Sequence, residues 1–161
     1  MLKKLLIYCA ITFIALIMQL MLSPWMSIID VRPDFILIAV IIVAQMRGVI
    51  SGQIYGFIIG LLVDSIGIGS FLGLSVLTKT CVGFFAGFMK NKKNKINIFS
   101  YYLIMLAIMF FHFFIFYVIY FRTSNMTIQF IGLRYIIPST IYSFIIFFLL
   151  DYFFAIESEE L

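Results

Sequence analysis

Apolar residues in this chain come in long runs, and its polar residues sit mostly between them. Six helical elements are predicted, at residues 5–22, 33–47, 49–64, 72–89, 98–121 and 135–154. A helix of about 20 residues crosses a hydrocarbon layer of about 30 Å, so most of these runs suit a membrane. Ser23-Pro24 ends the first run, and Trp25 suits a membrane–water boundary. A polar segment follows, with Asp30, Arg32 and Asp34. Pro33 can open the second element, where its missing N–H costs nothing. Arg47-Gly48 makes a tight turn, and Gly67, Gly69 and Gly73 mark the connection after the third element.

The second and third runs are short. The stretch from Pro33 to Gly48 rises only about 24 Å as a helix. Both runs are predicted as steep spans rather than a re-entrant hairpin, because Arg47 would be costly if stranded in lipid. Either arrangement returns the chain to the same side. The N-terminus imitates a secretory signal, with Lys3 and Lys4 before an apolar run. The run from Leu5 to Leu22 is long for a signal, and Ser23-Pro24-Trp25 is a poor cleavage site, so it is expected to stay as the first membrane helix.

One pattern stands out inside the third element. Gly48, Gly52, Gly56 and Gly60 recur every fourth residue, and Asp64 continues the spacing. Interior glycine costs a helix roughly 0.5–1 kcal/mol against alanine. In lipid the cost is offset, because helices there associate through close backbone contact over small residues. The ladder is therefore expected to be covered by another helix. Gly83 and Gly87 in the fourth element supply a matching small-residue pair, and a partner protein is the alternative cover. Leucine at Gly56 or Gly60 should disrupt the fold, with alanine tolerated better.

Composition narrows the class. Apolar residues make up 65% of the chain and charged residues 11%, against about a quarter charged in a soluble domain. With a mean hydropathy of +1.19, the chain is an all-α integral membrane protein, predicted as a single transmembrane domain over residues 1–161. The net charge of +4 does not point to nucleic acid, because the cations lie in short loops beside the spans. Lys3, Lys4, Arg47, Lys90, Lys92, Lys93 and Lys95 fall on one side and Arg32, Arg122 and Arg134 on the other, which puts both termini in the cytoplasm. Cys9 and Cys81 lie within spans, without ligand spacing, and read as small apolar residues.

Few residues offer chemistry. Asp64 and Lys79 are ionisable groups on consecutive elements at compatible depths, so they are expected to pair, either to fix helix register or to form a polar site. His112 is the sole histidine, amid Phe110, Phe111, Phe113, Phe114 and Phe116. With no second ligand at helical spacing it reads as an interhelical hydrogen-bonding group, not a metal ligand. Asp151 lies near the end of the last element. The run Lys90, Lys92, Lys93 and Lys95 is a topology signal or a surface for anionic lipid or an acidic partner. Asn125-Met126-Thr127 matches a glycosylation acceptor, a pattern common by chance. No nucleophile–base pair, phosphate loop or metal cluster is present in the sequence, so neither an enzyme nor a cofactor is predicted.

The run Arg32-Pro33-Asp34-Phe35, then Gly48, Gly52, Gly56-Phe57, Gly60-Leu61 and Asp64, with Gly73-Leu74, Gly83 and Gly87, resembles the rod shape-determining protein MreD family. The motifs lie within residues 32–87; elsewhere the likeness rests on length and number of spans. The resemblance implies a bacterial inner-membrane scaffold of the cell-elongation machinery, supporting peripheral peptidoglycan synthesis. It implies MreC, MreB, and RodA with a class B penicillin-binding protein as partners. It also implies a fold similar to the S components of energy-coupling-factor transporters, so a vitamin-uptake subunit is the alternative function. Those subunits carry an Ala-xxx-Ala contact on an early helix, whereas Ala10 and Ala15 here are five apart and do not share a face.

Overall fold

The computed structural model describes residues 2–28, 31–67 and 71–154, with side chains from Tyr8 to Phe153 within them. Asp30, Gly69, the acidic tail Glu157, Glu159 and Glu160, and the side chains of Lys3 and Lys4 lie outside the described residues. The chain forms six principal helices: α1 (Leu2–Ile17), α2 (Phe35–Arg47), α3 (Val49–Ser65), α4 (Leu74–Gly87), α5 (Ile98–Tyr120) and α6 (Ile137–Phe154). No strand is present among the described residues. A π-helical turn (Met18–Leu22) and a last α turn (Ser23–Trp25) prolong α1. A short helix (Ile128–Ile131) and a second π-helical turn (Gly132–Ile136) lead into α6.

The helices fall into two length classes. The stretches Tyr8–Trp25, Ile98–Tyr120 and Ile128–Phe153 are long and apolar enough to cross a membrane. Helices α2, α3 and α4, of 13, 17 and 14 residues, are apolar but shorter. The shortness of α4 departs from the sequence expectation of residues 72–89. Gly73, at φ +95°, holds a left-handed conformation that delays the helix start to Leu74.

Helix α2 is the axis of the assembly. Every residue from Phe35 to Ile41 is buried, and so are Val43, Ala44 and Gln45. A helix apolar all round belongs in an interior, and α2 contacts α1, α3, α4 and α6. Its 13 residues therefore meet protein rather than lipid, and its length implies no mismatch with the bilayer. The connection to α3 is one residue. Gly48 adopts φ +91°, donates to the Ala44 carbonyl at 2.7 Å and accepts from Gly52 at 2.9 Å. The backbone thus reverses without an unpaired group at the bend, and only glycine adopts that φ without strain.

Outside this centre, α5 packs on α4 and α6 through aromatic rings, such as Phe85 against Phe111 and Tyr102 against Phe148. Helix α1 rests on α2 and reaches α3 through a hydrogen bond between the Thr12 and Tyr55 hydroxyls at 2.9 Å. A lateral groove of about 540 Å³ lies between α1 and α3. Trp25, at the end of α1, is 92% exposed.

Candidate functional site: the Asp34 hub and the glycine seam

The first turn of a helix leaves N–H groups without intrahelical partners, and inside a membrane protein each must find another acceptor. At the start of α2 three side chains supply them. The Asp34 carboxylate accepts from Leu37 N–H at 2.7 Å as an N-cap. Gln19 Oε1 accepts from Phe35 N–H at 2.9 Å. Ser143 Oγ accepts from Asp34 N–H at 3.1 Å. Gln19 lies in the π-helical turn of α1 and Ser143 in α6, so one helix end gathers two others. Ser23 adds a contact to the Pro33 carbonyl at 3.4 Å.

The other Asp34 oxygen faces α4 and α5. Lys79 Nζ donates to Oδ2 at 2.9 Å, and His112 Nε2 lies 3.6 Å from the same atom. Lys79 is 3% exposed and His112 2%, so both belong to the interior. Five helices therefore converge on Asp34: α1 by Gln19, α2 by Asp34 itself, α4 by Lys79, α5 by His112 and α6 by Ser143. Beside the hub is a cavity of about 130 Å³ lined by Arg32, Asp34, Ser75, Lys79, His112 and apolar neighbours that include Val63 of α3.

This geometry corrects the expected pairing of Asp64 with Lys79. Asp64 is buried, but it accepts from the backbone N–H groups of Gly73 at 2.7 Å, Ser75 at 3.3 Å and Val76 at 3.5 Å. It caps the start of α4 from the end of α3, where a carboxylate also favours the positive end of the helix. Depth alone made Asp64 and Lys79 compatible. The orphan amides of α4 lie closer to Asp64 than Lys79 does, which is about a turn and a half deeper. Its oxygens are used there, and Lys79 turns to Asp34.

The glycines of α3 lie against α4, and the two helices run antiparallel in one register. A methyl group built on Gly52 would sit 2.5 Å from the Gly83 carbonyl oxygen, and one on Gly60 would sit 2.5 Å from Val76 Cα. One on Gly56 would strike the Lys79 carbonyl, one on Gly83 the Gly52 carbonyl, and one on Gly87 Val49 Cα. Each step of four along α3 is matched by a step of three or four back along α4, so the seam is backbone against backbone. Even the single methyl group of alanine at Gly56 or Gly60 would therefore meet main-chain atoms of α4. Gly48 departs from its assignment as a rung. It is the bend at the foot of the seam, where a methyl group would meet Lys90 Cδ at 3.3 Å.

A smaller polar cluster closes the opposite end. Asp151, 1% exposed, accepts from Lys93 Nζ at 2.9 Å and from the Tyr102 hydroxyl at 2.8 Å. Lys93 is thus tied to the bundle, whereas Lys90, Lys92 and Lys95 are exposed. Buried Gln45 on α2 donates to the Tyr101 hydroxyl at 2.7 Å. Sequence reading left Gln19, Gln45 and Ser143 unremarked. A glutamine inside an apolar run was the available signal for the first two, since an unpaired amide in that setting is costly.

An all-helical membrane protein whose interior polar groups fasten helix to helix is what this fold and this hub define. The family model of the rod shape-determining protein MreD matches residues 1–156, and the chain belongs to that family. Its part is in rod shape determination, within the system that also includes MreC and MreB. Neither a curated protein nor a solved structure matches the chain.

Proposed function

We propose that the chain is a non-enzymatic scaffold of the cell-elongation complex, which supports peripheral peptidoglycan synthesis by holding its partners in fixed relation. On this reading all six helices span the bacterial cytoplasmic membrane, with both termini in the cytoplasm. The Asp34 end then faces outward and the Lys90–Lys95 loop inward. MreC, MreB, and RodA with its class B penicillin-binding protein are the partners proposed. The observation that carries the reading is the use made of the interior polar groups. Asp34, Lys79, Asp64 and Asp151 are each engaged in joining one helix to another. A protein built this way presents rigid surfaces, as a scaffold requires.

The vitamin-uptake alternative needs a pocket both large and polar: the groove of about 540 Å³ between α1 and α3 is lined mostly by apolar side chains, and the polar hub cavity is small. Small-molecule sites occupy about 300–1,000 Å³, and this cavity holds about 130 Å³. Depletion in a rod-shaped host separates the two. Loss of a scaffold gives rounded, swollen cells on rich and minimal media alike. Rods on rich medium with a growth defect relieved by one nutrient would overturn the scaffold and support uptake. Orientation is checked by labelling from outside: Asn125→Cys should be modified and Lys92→Cys protected.

A further inference from the structure

The hub cavity contains donors that the protein does not satisfy. An ammonium carries three N–H groups. Among the described residues, Lys79 Nζ has the single partner Asp34. His112 Nδ1 is also buried without a hydrogen bond; with Nε2–H toward Asp34 it is an acceptor, so the spare donors are those of Lys79. Both side chains line the cavity, whose other walls include Ile36, Val63, Phe113 and Phe116. Buried polar groups are normally paired, and leaving one unpaired costs about 1–3 kcal/mol. The exposed Arg32 also lines the cavity, which puts a second cation where it opens.

Charge fixes the kind of occupant. Asp34 is the one acid among the lining residues, and its two oxygens already serve Leu37 N–H and the Lys79 ammonium. Arg32 and Lys79 against Asp34 leave an excess of one positive charge, so a metal cation is disfavoured. The volume of about 130 Å³ has room for about four waters at roughly 30 Å³ each, or for one oxyanion with its hydrogen bonds. A planar guanidinium is well suited to grip such a group with two parallel N–H bonds.

We propose that the cavity beside Asp34 is a binding site for a single small oxyanion, a phosphate or carboxylate group, held by Arg32 and Lys79 with His112 beside them. The group arrives either free in solution or as the phosphomonoester head of a lipid. The site is independent of the scaffold role and stands or falls separately from it.

The test is thermal unfolding of the purified full chain in phosphate-free buffer at constant ionic strength. Inorganic phosphate and acetate are titrated against chloride in detergent. In a second arm, nanodiscs containing phosphatidic acid are compared with nanodiscs of phosphatidylcholine. A saturable rise in the unfolding midpoint with phosphate or acetate identifies a soluble oxyanion, and a rise confined to phosphatidic acid identifies the lipid. In either case Arg32→Gln should weaken the apparent affinity about tenfold, the effect of one charged hydrogen bond. Lys92→Gln, at the other end of the bundle, should retain the full response. No saturable shift in either arm overturns the proposal and leaves the cavity to water. A shift that Arg32→Gln does not weaken overturns it as well, by placing the anion elsewhere.

Discussion

The α3–α4 seam and the Asp34 hub hold the same bundle by opposite means. At the seam, Gly52, Gly56, Gly60, Gly83 and Gly87 remove side chains so that main chains touch, and the interaction is spread evenly along two helices. At the hub, side chains from five helices meet around the start of α2, some on the Asp34 carboxylate and some on main-chain N–H groups beside it, and the interaction is concentrated at a point. A seam of backbone contacts has no means of yielding, because a helix axis must move to admit one methyl group. A hub of hydrogen bonds can be rebuilt when both members of a pair are changed together. The two designs also meet: the Lys79 carbonyl lies on Gly56, while its side chain reaches Asp34.

The largest effect is expected at the seam. Gly56→Leu or Gly83→Leu should abolish the folded protein, seen as loss of the monodisperse peak in detergent chromatography. Alanine at either position should still cost about 1–3 kcal/mol as overpacking. A wild-type unfolding midpoint for both alanine variants would show that the helices separate easily and would break the contrast.

At the hub, Asp34→Asn or Lys79→Met alone leaves one charge buried without its partner and should cost about 3–5 kcal/mol. The double variant should recover much of that loss, giving a coupling well above 1 kcal/mol in a double-mutant cycle. The same cycle between Asp64 and Lys79 should be close to additive. Strong coupling there, with none to Asp34, would reverse the assignment of Lys79.

Smaller effects are expected from the remaining carboxylates. Lys93→Gln leaves the buried Asp151 carboxylate with the Tyr102 hydroxyl as its remaining partner, and should cost about 1–3 kcal/mol. Asp64→Ala removes a cap from α4 and should cost about 1–2 kcal/mol, with hydrogen exchange accelerated at Gly73, Ser75 and Val76. The midpoint of thermal unfolding orders the whole series.

The two regions were not equally legible in the sequence. Glycine every fourth residue has one physical use in lipid, and Gly83 with Gly87 named a mate for it. Helix order and class followed from the length of the apolar runs. The hub was hidden because it depends on contacts across as many as 109 positions of the chain, as between Asp34 and Ser143. Asp34 was visible as a loop residue next to Pro33, yet its three roles need the bundle assembled. Asp64 was visible too, but spacing cannot say whether a carboxylate will take an ammonium or a set of backbone amides. The π-helical turns left no mark in the periodicity, although the first carries Gln19 into the hub. The helix at Ile128–Ile131 fell in a stretch read as loop, since four residues are too few to show a pattern.

The long reach of the Asp34 contacts bears on how the chain is made. Asp34 emerges from the ribosome well before Lys79, and Lys79 before His112 and Ser143. Until the last helix arrives, the start of α2 lacks an acceptor and Asp34 N–H has nowhere dry to go. Closure of the hub is therefore a terminal event of biogenesis. A product truncated before α6 keeps an open polar end, with Asp34 N–H short of its Ser143 acceptor.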